Sequence, residues 1–157
     1  VIPLPDFKQK TVQIGYLART ANLLGIKTPK IACIAPSEQL LPNVVSSTEG
    51  ALLAKMADRG QLGDVVVDGP LSLDVALYKE VAEHKKVRGS SVAGDPDCLL
   101  FPNLESANVF FKSVSHLCGG ELAAMVMGTK VPCVLTSRGD TSKTKLYSIA
   151  LACLAAR

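Results

Sequence analysis

The sequence predicts an α/β fold in which a mostly parallel β-sheet is covered by helices on both faces. Short apolar runs alternate along the chain with segments of helical periodicity. One of these runs, residues 64–68, is apolar between its end residues, which is typical of a strand buried on both faces. Glycine or proline turns separate the elements, and this alternation favours an α/β sandwich.

The first half of the chain predicts two rounds of helix and strand. A helix with apolar residues at helical spacing ends at Gly25 and precedes a strand over residues 30–35. A second helix, capped by Ser47 or Thr48, leads to the strand at 64–68. Each strand therefore follows a helix, as a parallel sheet requires.

The pattern continues with a helix over 72–84, a strand over 97–101 and a helix from Asn103 to about Leu117. Two apolar runs follow, 123–127 and 131–136, with only three residues between them. A parallel crossover needs a dozen or more residues, so this gap predicts one antiparallel pairing.

The final segment predicts an anion site. The run 131–136 has the pattern of a buried strand and leads through Ser137, Arg138 and Gly139 into a helix that continues towards the end of the chain. Glycine permits close approach of a ligand to the backbone, the helix N-terminus offers unpaired N–H groups, and arginine presents a planar fork to phosphate oxygens. A capped turn with a solvated arginine explains the same residues equally well. The Arg-Gly-Asp tripeptide also occurs in extracellular adhesion proteins, an interpretation that the odd cysteine count disfavours.

Composition bounds the protein class. The 157 residues, 48% of them hydrophobic, predict a single α/β domain over 1–157, and the absence of an initial methionine suggests a fragment. The 17 basic and 14 acidic residues are scattered and aromatics are 4%, so no nucleic-acid partner is predicted.

The cysteines indicate the compartment. Five cysteines without a C-x-x-C pair predict buried free thiols in a reducing cytoplasm. The late apolar run 149–156 is far shorter than the ~20 residues of a membrane helix, so no membrane span is predicted.

Polar residues at the predicted strand ends are further candidates for a site. Asp68 and Asp74 flank a Gly-Pro turn, where they either support turn and helix or contact a ligand; without a third oxygen ligand they predict no metal site. Asn103, Asn108 and Lys112 either orient a carbonyl or phosphate or serve as cap and surface. His84 and His116 have no partner that the sequence identifies, which disfavours catalysis by either.

Taken together, several stretches resemble the phosphate acyltransferases, the family of phosphate acetyltransferase and especially phosphate butyryltransferase. The stretches keep the order of that family and are Leu53-Ala54-Lys55-Met56-Ala57-Asp58-Arg59-Gly60-Gln61, Val67-Asp68-Gly69-Pro70-Leu71-Ser72-Leu73-Asp74, Pro102-Asn103-Leu104-Glu105 with Asn108 and Lys112, and Leu135-Thr136-Ser137-Arg138 with Ser148-Ile149-Ala150-Leu151-Ala152.

The resemblance implies transfer of a short acyl group, butyryl or acetyl, between CoA and inorganic phosphate. It also implies a two-domain fold like that of isopropylmalate dehydrogenase, a homodimer, and no metal or other cofactor. This chain would be the second half of such an enzyme, with the N-terminal domain missing. Ser137 would hydrogen-bond the developing oxyanion and Arg138 would hold phosphate. The residues assigned to substrate binding are Thr136, Gly139, Asn103, Asn108, Lys112 and Asp68.

The chain departs from the family at the proposed thiol base. The acetyltransferases carry an acid seven positions after the serine, where this chain has Thr144. Asp140, directly after the loop, is the candidate in its place, as in the butyryltransferases. The missing half and Thr144 leave a second interpretation open, a non-catalytic acyl-CoA-sensing or dimerisation module. A decarboxylating dehydrogenase of the same broad fold is disfavoured, because its metal-binding aspartates are not found.

Overall fold

The computed structural model describes residues 2–156. Their contacts form two compact units, one ending at Ala107 and the other beginning at Asn108. The single domain predicted over 1–157 stays a prediction. Helix α5 (Leu104–His116) begins in the residues of the first unit and ends in those of the second.

The first unit contains most of the regular structure. Its strands and remaining helices, in chain order, are α1 (Phe7–Leu23), β1 (Lys30–Ile34), α2 (Val45–Asp58), β2 (Val66–Leu71), α3 (Leu73–Leu77), α4 (Lys79–His84) and β3 (Cys98–Leu100). The strands form a three-stranded sheet in the order β2-β1-β3, and both pairings are parallel. Ile31 in the central strand is level with Val67 on one side and Cys98 on the other. The prediction of an α/β fold with a mostly parallel sheet is confirmed.

Two apolar cores lie on the two faces of this sheet. On one face, Ile14 of α1 and Leu53 of α2 pack with Ile31 of β1. On the other, Val75 of α3 packs with Ala32 of β1. All five side chains are almost completely buried, and burying a side chain of the size of leucine stabilises a fold by roughly 1.5–3 kcal/mol. Helices therefore cover both faces, as predicted.

Both ends of α1 are set by residues next to the helix in sequence. Asp6 caps α1: its carboxylate accepts from the Gln9 N–H at 2.7 Å, and the Gln9 side chain accepts from the Asp6 N–H at 2.9 Å. Gly25, with φ of 92°, follows the end of this helix as predicted.

Two predicted helix boundaries are wrong. Ser47 does not cap α2 but lies inside it, where its buried hydroxyl accepts from the Leu41 N–H at 2.8 Å and donates to the Gln39 carbonyl at 3.0 Å. The helix predicted over 72–84 is divided at Tyr78, whose extended backbone (φ −122°, ψ 116°) separates α3 from α4.

The second unit contains the end of α5, irregular backbone and α6 (Ser142–Ala155). The runs 123–127 and 131–136 do not form strands; a single antiparallel bridge joins Val126 to Cys133, with the Val126 N–H 2.8 Å from the Cys133 carbonyl. The prediction of a buried strand over 131–136 is wrong, because no strand of the described residues pairs with this run and Leu135 is 74% exposed. The described sheet contains no antiparallel strand.

Ser148 of α6 connects this helix to the irregular backbone of the second unit. It is fully buried, and its hydroxyl accepts from the Ala124 N–H at 3.0 Å and donates to the Thr144 carbonyl at 2.7 Å. A lost partner would leave a buried polar group unpaired, which costs about 1–3 kcal/mol. This hydroxyl therefore fixes the irregular backbone near residue 124 to α6.

The cysteines are all free thiols, but only Cys33 is buried. Burial raises the pKa of its thiol to about 12. Cys118, Cys133 and Cys153 are exposed, so the prediction of buried thiols is wrong for these three. None of the helices between residues 2 and 156 is both long enough and apolar enough to cross a membrane.

Candidate functional site

The loop from Ser137 to Asp140 is closed by its own backbone and one carboxylate. The Ser137 N–H donates to Asp140 Oδ2 at 2.7 Å, and the Asp140 N–H donates to the Ser137 carbonyl at 3.1 Å. Thr141 then caps α6, with its hydroxyl accepting from the Thr144 N–H at 3.1 Å. The sequence alternative of a capped turn is therefore correct for the backbone, and the turn leaves Arg138 at its tip.

The side chains at the tip of this loop are available to a ligand. Ser137 and Arg138 are exposed, and within residues 2–156 their side chains make no hydrogen bond or ion pair. A Cβ on Gly139 would meet nothing within 4 Å, and Gly139 does not have a positive φ, so the fold itself does not require glycine there. Hydroxyl, guanidinium and open backbone are therefore presented side by side.

Asp140 has a structural role in the loop. One of its carboxylate oxygens accepts from the Ser137 N–H, which leaves the other to act on a proton. Thr144 is also engaged, because its hydroxyl lies 3.1 Å from that of Thr141. The role of Asp140 as the thiol base stays a prediction.

A cavity of about 240 Å³ lies beside this loop, within the second unit. Its lining includes His116, Glu121, Asp140, Thr141, Lys143 and Thr144. Lys143 forms an ion pair with Glu121, whose other carboxylate oxygen accepts from the Tyr147 hydroxyl at 3.1 Å. Lys143, then Tyr147, lowers the pKa of the Glu121 carboxyl, and Glu121 raises the pKa of the Lys143 ammonium.

Asn103, directly before α5, has a structural role, whereas Asn108 and Lys112 within the helix are free to contact a ligand. The Asn103 side-chain oxygen accepts from the Ser106 N–H at 2.9 Å, so Asn103 caps the helix. Asn108 and Lys112 are one turn apart and exposed, and no side-chain hydrogen bond or ion pair is formed by either in the described part of the chain. These two, like Arg138, are available to a ligand.

The predicted turn at Gly69 and Pro70 is wrong, because both residues lie with Asp68 inside β2, and Asp74 lies in α3. Both acids belong mainly to local structure. Asp68 accepts from the adjacent Gly69 N–H at 2.7 Å. Asp74 accepts from the Val75 N–H at 2.9 Å and pairs with Lys85 at 2.9 Å; hydrogen bonds from Ser72, then Lys85, lower the pKa of its carboxyl to about 2. Over residues 2–156, no three cysteine, histidine or acidic side chains are grouped as a metal site would need.

One polar pair in the first unit was not anticipated. Lys10 is 4% exposed and pairs with Glu49, and both line a water-sized cavity of about 10 Å³ with Cys33 and Pro102. The sequence does hold a signal, since Lys10 precedes Ile14 by four residues on the buried face of α1. Its partner lies 39 residues away and could not be read from spacing.

Comparisons with known proteins agree over nearly the whole chain. A family model described as "Phosphate acetyl/butaryl transferase" matches residues 1–153. The phosphate butyryltransferase of Clostridium beijerinckii is 45% identical over 152 residues, which is 97% of this chain and 50% of that protein. The phosphate acetyltransferase of Thermotoga maritima is 42% identical over 147 residues, with 94% and 50% covered. The chain thus spans about half the length of these curated relatives.

A solved structure supports the same relationship. The branched-chain phosphotransacylase from Enterococcus faecalis V583 superposes with a TM-score of 0.87 at 30% identity, covering 100% of this chain and 55% of that one. From the family model and these relatives, the chain belongs to the phosphate acetyl/butyryl transferase family.

Proposed function

We propose that the chain is the second half of a phosphate acyltransferase that moves a short acyl group, butyryl or acetyl, between CoA and inorganic phosphate. The observation that carries the proposal is the loop at 137–140, whose serine and arginine side chains are exposed and unpaired within the described residues. Family membership supports it, because the relatives are named phosphate butyryltransferase and phosphate acetyltransferase.

The chemistry of the reaction matches these groups. When phosphate attacks a thioester carbonyl, negative charge develops on the carbonyl oxygen while the phosphate and the departing thiolate are also negative. Ser137 donates a hydrogen bond to the oxyanion, and the fork of Arg138 binds two phosphate oxygens. Because Asp140 fixes the backbone at Ser137, the loop that carries both side chains is closed before substrate arrives.

Other residues of the proposed site contribute binding. Asn108 and Lys112 supply an amide and a cation from α5, and Thr136 and Gly139 supply backbone next to the reacting groups. Asn103 and Asp68 contribute by shaping the backbone at the start of α5 and within β2, since each is already hydrogen-bonded locally. The proposed reaction uses the CoA thioester and phosphate as substrates and requires no metal or prosthetic group.

The proposed enzyme is larger than this chain. Because the chain spans about half of its relatives, a preceding domain would complete the cleft in a two-domain fold like that of isopropylmalate dehydrogenase. The proposed assembly is a homodimer in the cytoplasm, where the three exposed thiols would stay reduced.

The test is formation of acyl phosphate from butyryl-CoA and phosphate, on this chain and on a form extended upstream to the length of the relatives. Turnover by the extended form supports the proposal. Binding of butyryl-CoA without turnover in either form would contradict it.

A second candidate function is a non-catalytic acyl-CoA-sensing or dimerisation module. It is favoured by apolar side chains exposed in the second unit, such as Leu117 and Leu146, which suit an association surface. In the same experiment, butyryl-CoA that changes the mass of the particle in solution but is never converted would support this candidate.

A further inference from the structure

The cavity beside the candidate loop holds four titratable side chains, and three of them are already engaged. Glu121 and Lys143 pair with each other, and the Tyr147 hydroxyl also donates to Glu121. Asp140 accepts from the Ser137 N–H. The cavity, of about 240 Å³, has room for a small group next to these side chains.

His116 is the fourth of these side chains. It is the last residue of α5, it is exposed, and it lines the cavity together with Asp140 and Thr144. Its ring makes no hydrogen bond or ion pair with any other residue that the structure describes. Among the titratable side chains on the cavity wall, His116 is therefore the one that makes no hydrogen bond or ion pair within the described residues.

Acyl transfer to CoA requires a proton acceptor, because the thiolate and not the thiol attacks the acyl carbon. The acceptor has to lie within hydrogen-bond reach of the sulfur, and histidine serves most often. Glu121 is a poor acceptor, because Lys143 and Tyr147 stabilise its charged form. Thr144, which shares the wall, has no basic group.

Resting on the proposed function, we propose that His116 takes the proton of the CoA thiol in this cavity. In the direction that consumes acyl phosphate, the S–H proton passes to the imidazole while the sulfur electron pair forms the new bond to the acyl carbon. The bond from that carbon to the bridging oxygen breaks, and its electron pair leaves with phosphate, which takes the proton from the imidazolium. In the reverse direction the imidazolium protonates the departing CoA thiolate.

The test measures the rate at which the extended protein forms acyl-CoA from butyryl phosphate and CoA between pH 6 and pH 9. It compares the His116→Gln variant with wild type. We expect kcat at pH 7 to fall about 100-fold or more, with the KM for CoA little changed. The defect should shrink by about tenfold towards pH 9, since a thiol with an ordinary pKa near 8.5 ionises without help over this range. Glu121, Asp140 and Lys143 on the cavity wall and Lys112 on α5 also affect the profile, and all four are retained in the variant.

His84→Gln is the matched control, because His84 is the other histidine of the chain and lies on α4 in the first unit. It should leave the rate unchanged. A His116→Gln protein as fast as wild type, or slowed equally at every pH, would overturn the inference alone. If the wild-type extended protein does not transfer the acyl group, the proposed function is contradicted as well.

A second measurement does not depend on the variant's folding. Diethyl pyrocarbonate modifies accessible imidazoles, and peptide mass spectrometry distinguishes His116 from His84. Saturating CoA should slow modification of His116 several-fold and leave His84 unaffected. Equal modification of His116 with and without CoA would contradict its place beside the thiol.

Discussion

The two units of the chain differ in where their apolar side chains lie. In the first, Ile14, Ile31 and Leu53 are buried around a parallel sheet. In the second, Leu117 is 81% and Leu146 62% exposed, and among its described residues the one buried side chain is the serine at 148. The first unit is therefore built around a buried apolar core, whereas the second exposes polar and apolar side chains and has little core of its own.

The difference matters for function because side chains that hold a fold together are not free to bind. In the first unit the candidate residues Asp68 and Asn103 are already hydrogen-bonded to nearby backbone. In the second, Ser137, Arg138 and His116 have no side-chain partner within residues 2–156. The candidate side chains that are free to bind a ligand are therefore concentrated in the less densely packed part of the chain.

The largest effect should come from removing buried apolar volume in the first unit. Leu53→Ala should lower the free energy of unfolding by about 2–5 kcal/mol, because Leu53 is 1% exposed and a cavity would remain. The matched change Leu146→Ala, at an exposed position of α6, should stay within about 0.5 kcal/mol. Urea unfolding of both variants measures this, and equal losses would contradict the difference in packing between the two units.

A pair of glycine changes should give a smaller contrast. A Cβ on Gly69 would lie 2.6 Å from the Cys33 Cβ, so Gly69→Ala should cost about 1–3 kcal/mol through overpacking. Gly139→Ala meets open space and should leave the unfolding free energy nearly unchanged. Thermal unfolding of the two variants tests this; a destabilised Gly139→Ala would show that the loop is packed after all.

The smallest effect should be a change in how the stability of the first unit falls with pH when the Asp74–Lys85 pair is removed. Ser72 and Lys85 lower the pKa of Asp74 to about 2, below its ordinary value near 3.9. A lowered carboxyl pKa stabilises the fold fully above about pH 4, and the contribution is lost as the pH falls to about 2. Asp74→Asn should therefore flatten the loss of stability between pH 5 and pH 2, measured by urea unfolding. Because half of the Asp74 side chain is exposed, solvent reduces the effect, and a variant as acid-sensitive as wild type would show that the pairing contributes nothing.

The sequence was a better guide to the first unit than to the second. Periodicity located β1 and β3, and Gly25 follows the end of α1 as expected, because these choices depend on neighbours along the chain. β2 was placed too early: it was predicted over 64–68 and spans Val66–Leu71, through Gly69 and Pro70. The run 131–136 has the composition of a strand but lacks a described strand to pair with, which composition alone does not reveal.

The site shows the same division. The residue types and order at 137–140 pointed to an anion loop, and the structure supplies the closure of that loop by Asp140. His116 was set aside because no partner is near it in sequence; the cavity it shares with Asp140 and Thr144 arises only from the fold. Burial of Lys10 against Glu49 is likewise a tertiary property.

The most direct test of the central claim is the rate of acyl phosphate formation by Arg138→Ala in the extended protein, compared with wild type and with Arg88→Ala as a control arginine outside the second unit. Because Arg138 has no role in the described fold, the variant should unfold like wild type and lose about 100-fold or more in kcat/KM for phosphate. Arg88→Ala should match wild type. An Arg138→Ala protein that transfers the acyl group at the wild-type rate would contradict the assignment of the reaction to this loop.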